Sequence, residues 1–141
     1  MNIVSLLKPK STVSYVYDSS TVRQGLEQMK AHSFTATPVI TKDGKYAGVV
    51  SEGDFLWYLI KNSKSSDIKL LESTYIKDII DKNKFKPVRI SATINDLLLM
   101  VMNQNFVSVI DDRDCFIGII TRKSVLEYFY KKEVEPETDN K

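Results

Sequence analysis

A chain with a single cysteine, Cys115, closes no internal disulfide, so packing alone must hold its fold together. It has a single histidine as well, His32, far from that cysteine in sequence. The two supply neither a metal-ligand set nor a nucleophile with its base. The glycines are never gathered into a phosphate-cradling loop. No apolar run approaches the roughly 18 residues that a membrane span needs. Met1 to Lys10 lacks a basic stretch ahead of an apolar core, so no secretion signal is expected and the protein is expected to be cytoplasmic. Asp111, Asp112 and Asp114 lack the glycine and closing glutamate of a calcium loop and read as a solvated turn. The chain is therefore expected to be no enzyme and to hold no metal or cofactor.

What is present is modest positive charge and a repeat. The formal net charge is +2, but Glu133 to Lys141 holds four acids and one lysine, which leaves +5 on the rest. A basic body suits an anionic small molecule, while the helices lack the basic face that would point to nucleic acid. Thr21-Val22-Arg23-Gln24-Gly25-Leu26 matches Thr93-Ile94-Asn95-Asp96-Leu97-Leu98 at an offset of 72 residues. Gly48-Val49-Val50-Ser51 matches Gly118-Ile119-Ile120-Thr121 at an offset of 70. Phe34 set against Phe106 keeps the offset of 72, so the two-residue deletion is expected within Thr35 to Pro38.

Each copy reads as helix, strand, strand, helix. Thr21 and Thr93 stand as N-caps before amphipathic helices carrying Val22, Leu26 and Met29, or Ile94, Leu97, Leu98 and Val101. Strands are expected at Pro38 to Thr41 and Tyr46 to Ser51, joined by the Asp43-Gly44 turn, and at Val107 to Ile110 and Phe116 to Thr121. Closing helices are expected over Glu52 to Lys61 and Arg122 to Lys132. Asn62 to Ser73 reads as a polar linker, Thr74 to Ile80 as a short helix and Pro87 to Ile90 as a strand. The domain organisation expected is residues 1–61 for the N-terminal segment and first motif, 62–80 for the linker, 81–132 for the second motif and 133–141 for a disordered acidic tail. Phe55-Leu56-Trp57-Tyr58-Leu59-Ile60 and Val125-Leu126-Glu127-Tyr128-Phe129-Tyr130 are apolar on almost every face. Such helices either form a homodimer interface, with Trp57 in it, or lie deep in the monomer.

The two copies resemble the two CBS motifs of a Bateman module. The resemblance rests on Thr37-Pro38-Val39-Ile40 with Asp43-Gly44, on Gly48-Val49-Val50-Ser51-Glu52-Gly53-Asp54, and on Gly118-Ile119-Ile120-Thr121-Arg122-Lys123-Ser124, and covers about residues 12 to 132. It implies an α+β fold of two pseudo-symmetric motifs packed sheet to sheet. It also implies two ligand clefts, each joining the early strand and pre-strand segment of one motif to the Gly-x-x-Ser/Thr-x-x-Asp turn of the other. Carried over, cleft one takes Ser14, Tyr15, Thr35, Ala36 and Pro38 with Thr121, Arg122 and Ser124. Cleft two takes Val88, Phe106, Val107 and Ser108 with Ser51, Glu52 and Asp54.

Elementary chemistry suits such clefts to a nucleotide. Ser51 and Thr121 stand where a strand becomes a helix, and a helix N-terminus offers unpaired amides and partial positive charge to phosphate. Ala36, Pro38, Val88 and Phe106 offer walls for a ring. Arg122 can grip a phosphate with paired hydrogen bonds, whereas Glu52 repels one. Each residue also has a plainer role. Ser51 and Thr121 suit plain N-caps, Asp54 suits the first turn of a helix, and Tyr15 and Phe106 suit a core. Arg122 and Lys123 are harder to explain so, because cations there oppose the helix dipole.

The resemblance implies that the acid ending the turn, Asp54 in cleft two, holds ribose hydroxyls. Ser124 stands in its place in cleft one, which suits a cyclic dinucleotide with no free ribose diol. Phe34 to Pro38, Asn105 to Val109 and Thr121 to Lys123 further resemble stand-alone bacterial CBS-pair proteins that bind cyclic di-AMP. The expected ligand is therefore an adenine nucleotide, either cyclic di-AMP or AMP, ADP or ATP. The expected output is control of a separate enzyme, with a guanosine-polyphosphate synthetase as one candidate by analogy. A constitutive dimeric scaffold with vestigial clefts stands beside this reading.

Overall fold

Turn chemistry and hydrophobic spacing place the elements of the computed structural model, which describes residues 3–32, 35–62 and 68–134. After a 3-10 turn at Ile3–Leu6 come β1 (Lys8–Pro9), β2 (Val16–Tyr17), α1 (Val22–His32), β3 (Ala36–Ile40), β4 (Tyr46–Ser51) and α2 (Glu52–Lys61). Then follow α3 (Ile68–Ser73), a 3-10 turn at Ile76–Asp78, β5 (Val88–Arg89), α4 (Ile94–Val101), β6 (Phe106–Ile110), β7 (Phe116–Thr121) and α5 (Arg122–Val134). The helix-strand-strand-helix order is thus present twice.

Both expected caps form. Thr21 Oγ1 accepts from the Gln24 amide at 3.1 Å and the Thr21 amide donates to Gln24 Oε1 at 2.9 Å. Thr93 and Asp96 make the same reciprocal pair, at 3.2 and 3.0 Å. Each box satisfies two orphan donors of a helix start. The turn between β3 and β4 needs a left-handed residue, and Gly44 supplies it at φ 92°. Asp114 takes the corresponding place in the second copy at φ 66°, a conformation that aspartate tolerates better than most residues.

The chain forms two compact units, and they cut across the repeat. The first motif, Ser14–Lys86 together with Arg113–Phe116, makes one unit. Its sheet has the order β2-β3-β4, with β2 parallel and β4 antiparallel to β3. Its core gathers Val16, Val22, Met29, Val39, Val50, Phe55 and Ile76. The second motif makes the other unit, Pro87–Asp112 and Ile117–Lys141, and Met1–Val13 belongs to it. There the order is β1-β7-β6-β5, with β1 antiparallel to β7 through Lys8↔Ile119 and Pro9↔Gly118. Its core gathers Ile3, Val88, Leu97, Val101, Val107, Val109, Ile120 and Val125.

In space, the N-terminal segment of the expected 1–61 block goes with the second motif. The start of the chain packs on the second motif because Ile3 is fully buried in that motif's core and β1 covers the edge of β7. Reciprocally, Ile76, from the segment preceding the second motif, is fully buried in the core of the first, against Gly25 and Phe55. The two arms are themselves a repeat, with Ile3-Val4-Ser5-Leu6-Leu7 matching Ile76-Lys77-Asp78-Ile79-Ile80.

Four further expectations change. Asn62 to Ser73 is not linker throughout, because α3 forms and seats Leu71 on the first motif's core; residues 63–67 lie outside those described. Tyr58 Oη donates to the Leu70 carbonyl of α3 at 3.3 Å and meets Thr74 Oγ1 just past its end at 2.7 Å, and Arg23 pairs with Glu72 at 3.1 Å. The short helix expected over Thr74 to Ile80 is a single 3-10 turn. The deletion between copies precedes the strand: Phe106 opens β6 as Ala36 opens β3, at an offset of 70 residues, so it does not correspond to Phe34, which lies outside the described residues. The missing residues come from the helix end, since α1 has 11 residues and α4 has 8. Finally, α5 continues to Val134, so Glu133 is helical; 135–141 lies outside the described residues.

Candidate functional site

In each unit the same backbone tie joins the pre-strand segment to the start of the closing helix. The Glu52 amide donates to the Thr35 carbonyl at 2.9 Å, and the Arg122 amide donates to the Asn105 carbonyl at 2.8 Å. The tie leaves the hydroxyl residue one position earlier, Ser51 or Thr121, at the mouth of the helix.

In the first unit Ser51 and Asp54 form a full capping box. Asp54 Oδ2 accepts from the Ser51 amide at 2.8 Å and from Ser51 Oγ at 3.1 Å, and the Asp54 amide approaches Ser51 Oγ at 3.4 Å. One carboxylate oxygen of Asp54 is thereby committed to the helix start, which is the plainer role weighed from sequence. Ala36 pairs with Ser51 across β3 and β4, so Thr35, Ala36, Ser51, Glu52 and Asp54 stand together. Ser14 and Tyr15 are fastened to α1 by Gln28, whose amide donates to the Tyr15 carbonyl at 2.7 Å and to Ser14 Oγ at 3.2 Å. Nothing in the motif pattern singles out Gln28; only the fold brings it there. Tyr15 stacks edge-on to Tyr17 at 5.9 Å and lies 6.1 Å from Phe116. Its hydroxyl is pushed above the ordinary tyrosine range, first by burial and then by the neighbouring Tyr17 phenol. Pro38 is buried in β3.

In the second unit Ser124 stands where Asp54 stands in the first. Its amide donates to Thr121 Oγ1 at 3.1 Å, and Thr121 Oγ1 donates to Ser124 Oγ at 2.9 Å. Among the described residues no carboxylate is hydrogen-bonded into this turn. Arg122 Nε donates to the Val101 carbonyl at 2.8 Å, at the last residue of α4. The cation that opposes the dipole of α5 therefore sits against the negative end of α4, where a helix C-terminus favours it. The guanidinium is aimed by that single bond, and its two terminal amino groups make no hydrogen bond among the described residues. On the other flank of the turn, Ser124, Tyr128 and Lys131 line a groove of about 380 Å³ with Leu6, Leu7 and Lys8 of the N-terminal arm. The arm was missed from sequence because its half of the repeat is short and almost free of motif residues.

The expected members of cleft two fare differently. Val88 and Val107 belong to the second unit's apolar core. Ser108 is 3% exposed, and its hydroxyl lacks a hydrogen-bond partner. β6 is buried from Val107 through Ile110, so of that strand's expected site residues only Phe106 keeps partial exposure. Of the two expected sets, the structure brings together Thr35 and Ala36 with Ser51, Glu52 and Asp54 in one unit. In the other it brings together Phe106 with Thr121, Arg122 and Ser124. Ser14, Tyr15 and Pro38 lie in the first unit, Val88, Val107 and Ser108 in the second.

The geometry has counterparts among known proteins. Among solved structures, CbpB in complex with c-di-AMP is 27% identical, with a TM-score of 0.86 over 100% of this chain and 91% of that one. CbpB from Streptococcus agalactiae is 26% identical, with a TM-score of 0.85 over 99% and 86%. CBSX2 in complex with AMP shares the fold at 24% identity, with a TM-score of 0.74 over 94% and 98%. The family model for the CBS domain matches residues 6–61 and again residues 76–131, so the second match includes its whole arm and the first only the arm's end, from Leu6 onward. Two such domains in tandem, each closed by a hydroxyl-capped helix, place this chain in the CBS-domain family as a CBS pair.

Proposed function

We propose that this protein is a non-catalytic cytoplasmic regulator that binds cyclic di-AMP at the α5 turn and passes the signal to a separate enzyme. One observation carries the reading. The turn presents two hydroxyls, the start of a 13-residue helix and an aimed guanidinium, with a serine where the first motif has Asp54. Phosphodiester oxygens fit such a surface, because helix amides and guanidinium both favour a delocalised anion. Lys123 adds a second cation at the same helix start. A cyclic dinucleotide needs no acid to grip a free ribose diol, and Ser124 offers none. The c-di-AMP held by CbpB, a protein 27% identical to this one, supports the same choice.

AMP, ADP or ATP is the second reading, and Asp54 is what favours it. Its Oδ2 is committed to the cap, but the carboxylate stands in the turn where a ribose diol is to be held. The exposed helix faces support a homodimer: Leu56, Trp57 and Ile60 on α2 are 56, 66 and 52% exposed, and Leu126 and Tyr130 on α5 are 53 and 68% exposed. These helices do not lie deep in the monomer.

A thermal-shift series with cyclic di-AMP, AMP, ADP, ATP and cyclic di-GMP tests the proposal. Ligand at 100 times its dissociation constant adds about 2.7 kcal/mol, roughly 5–10 °C for a chain of this size. The expected result is a shift with cyclic di-AMP that Arg122→Ala abolishes. A shift with AMP, ADP or ATP alone moves the function to energy sensing, and no shift at all leaves the dimeric scaffold. Binding left intact in Arg122→Ala overturns the assignment of the α5 turn.

A further inference from the structure

The groove between the N-terminal arm and α5 is built within one unit, and its lining combines both signs of charge with an apolar floor. β1 runs antiparallel to β7, and α5 follows β7 directly, so arm and helix wall about 380 Å³ between them. A space of this size takes a small molecule. Leu6 and Leu7 supply the floor and pack on the second motif's core. Lys8 stands on the arm side, and Glu127, Tyr128 and Lys131 on the helix side. Glu127 and Lys131 have the spacing and order at which glutamate and lysine pair along a helix. Yet the side chains of Lys8, Glu127 and Lys131 make no ion pair and no hydrogen bond among the described residues. The Tyr128 hydroxyl makes none either, while its ring is held edge-on to Phe129 at 5.3 Å. The fold does not demand this set of groups. In the first unit Asp81 stands in the place of Lys8 and Trp57 in that of Glu127. Tyr58, the counterpart of Tyr128, has its hydroxyl taken by the Leu70 carbonyl and Thr74.

We infer that this groove binds a free α-amino acid with an apolar side chain. The ligand's carboxylate meets the ammoniums of Lys8 and Lys131, its ammonium meets Glu127, and its side chain lies on Leu6 and Leu7. The Tyr128 hydroxyl is a further donor to the carboxylate. The pairing of charges selects the class. A simple anion such as phosphate is attracted by the two lysines but repelled by Glu127, and a simple amine meets the opposite balance. A zwitterion satisfies both signs at once, through charge-assisted hydrogen bonds that are stronger than neutral ones. The leucines add a preference for an apolar side chain, whose burial is favourable in proportion to its area. The inference goes beyond the nucleotide reading and does not depend on it, because Arg122 and its bond to the Val101 carbonyl take no part in this groove.

An NMR titration of the full chain with leucine, methionine and phenylalanine tests the site. The expected result is a saturable shift of the Leu7, Lys8, Tyr128 and Lys131 amides with at least one of the three. The N-acetyl and carboxamide derivatives of the same amino acid each lack one charge and bind roughly tenfold more weakly, the loss of one charge-assisted contact. Two variants then separate the charges. Glu127→Gln weakens the free amino acid by a similar factor and leaves the N-acetyl form as it was. Lys131→Gln weakens both of these and leaves the carboxamide as it was. Glu127 and Lys131 are exposed, so both variants keep the melting temperature of the unmodified chain. Absence of a saturable shift at these amides with all three amino acids at millimolar concentration overturns the inference. So does an N-acetyl form or inorganic phosphate that binds as tightly as the free amino acid, or an affinity that Glu127→Gln leaves unchanged.

Discussion

Gly118 shows how a residue chosen for its missing side chain fixes an arm of the chain. Its φ of 153° lies where other residues rarely go, and a Cβ there would overlap the Lys8 carbonyl oxygen, because β1 crosses β7 at that point. Gly48 holds the matching place in β4 at φ 146°, but an added Cβ would meet the Ile80 side chain at 3.3 Å and the Lys82 backbone only at 3.9 Å. Gly118→Ala is therefore expected to lower stability by about 2–4 kcal/mol in denaturant unfolding, and Gly48→Ala by distinctly less. Tyr15 makes a pH-dependent prediction. Its ionisation is held above the ordinary range by burial and by Tyr17, so folding favours the neutral phenol. The stability from this group is present below the unfolded value of about 10 and is lost as pH rises through the folded value. Melting temperatures taken from neutral pH up to about 11 should fall less steeply for Tyr15→Phe than for the unmodified chain.

At the scale of elements, the closing helices and their caps were legible, and the linker was not. Thr21 and Thr93 announce α1 and α4 because a capping box needs only residues three apart in sequence. α3 hides among polar neighbours and is held chiefly by Leu71 against the first motif's core, a tertiary contact to which the half-exposed Arg23–Glu72 pair adds little. The arms are the element with the largest consequence. Ile3 and Ile76 are each fully buried, each in the motif that its own stretch of chain does not continue into. Either isoleucine cut to alanine should cost about 2–5 kcal/mol. Hydrogen exchange locates the effect: Ile3→Ala should release amides in β6, β7 and α5, and Ile76→Ala those in α1, β3 and α2. The reverse pattern would mean that each arm stabilises the motif it precedes.

For the whole molecule, the duplication sets two similar turns to different work. One closes with a carboxylate and the other with a serine, so the two halves of one fold offer different surfaces to a ligand. The same duplication leaves apolar faces on both sets of helices, one opening acidic and one basic. Trp57, the single tryptophan, lies on the first of these at 66% exposure and serves as its reporter. Its emission should move to the blue as the protein is concentrated through the dimerisation range, because an indole leaves water on association. Emission unchanged with concentration would take Trp57 out of the interface. No helix among the described residues is long and apolar enough to cross a membrane.

By itself the sequence determined the repeat, the order of elements within each copy, the capped helices and the contrast between Asp54 and Ser124. All of these are local: a cap, a turn or a strand is specified by residues a few positions apart, and a duplicated pattern makes a weak signal strong. It also marked Arg122 as a cation out of place. Only the tertiary structure showed why it is tolerated, since the Val101 carbonyl that receives it lies 21 residues back at the end of another helix. Only the tertiary structure placed Val88, Val107 and Ser108 in buried positions, for a strand buried on both faces leaves no alternation to read. And only the tertiary structure exchanged the arms, because burial of one isoleucine can be satisfied by either of two similar cores, and sequence pattern does not distinguish them.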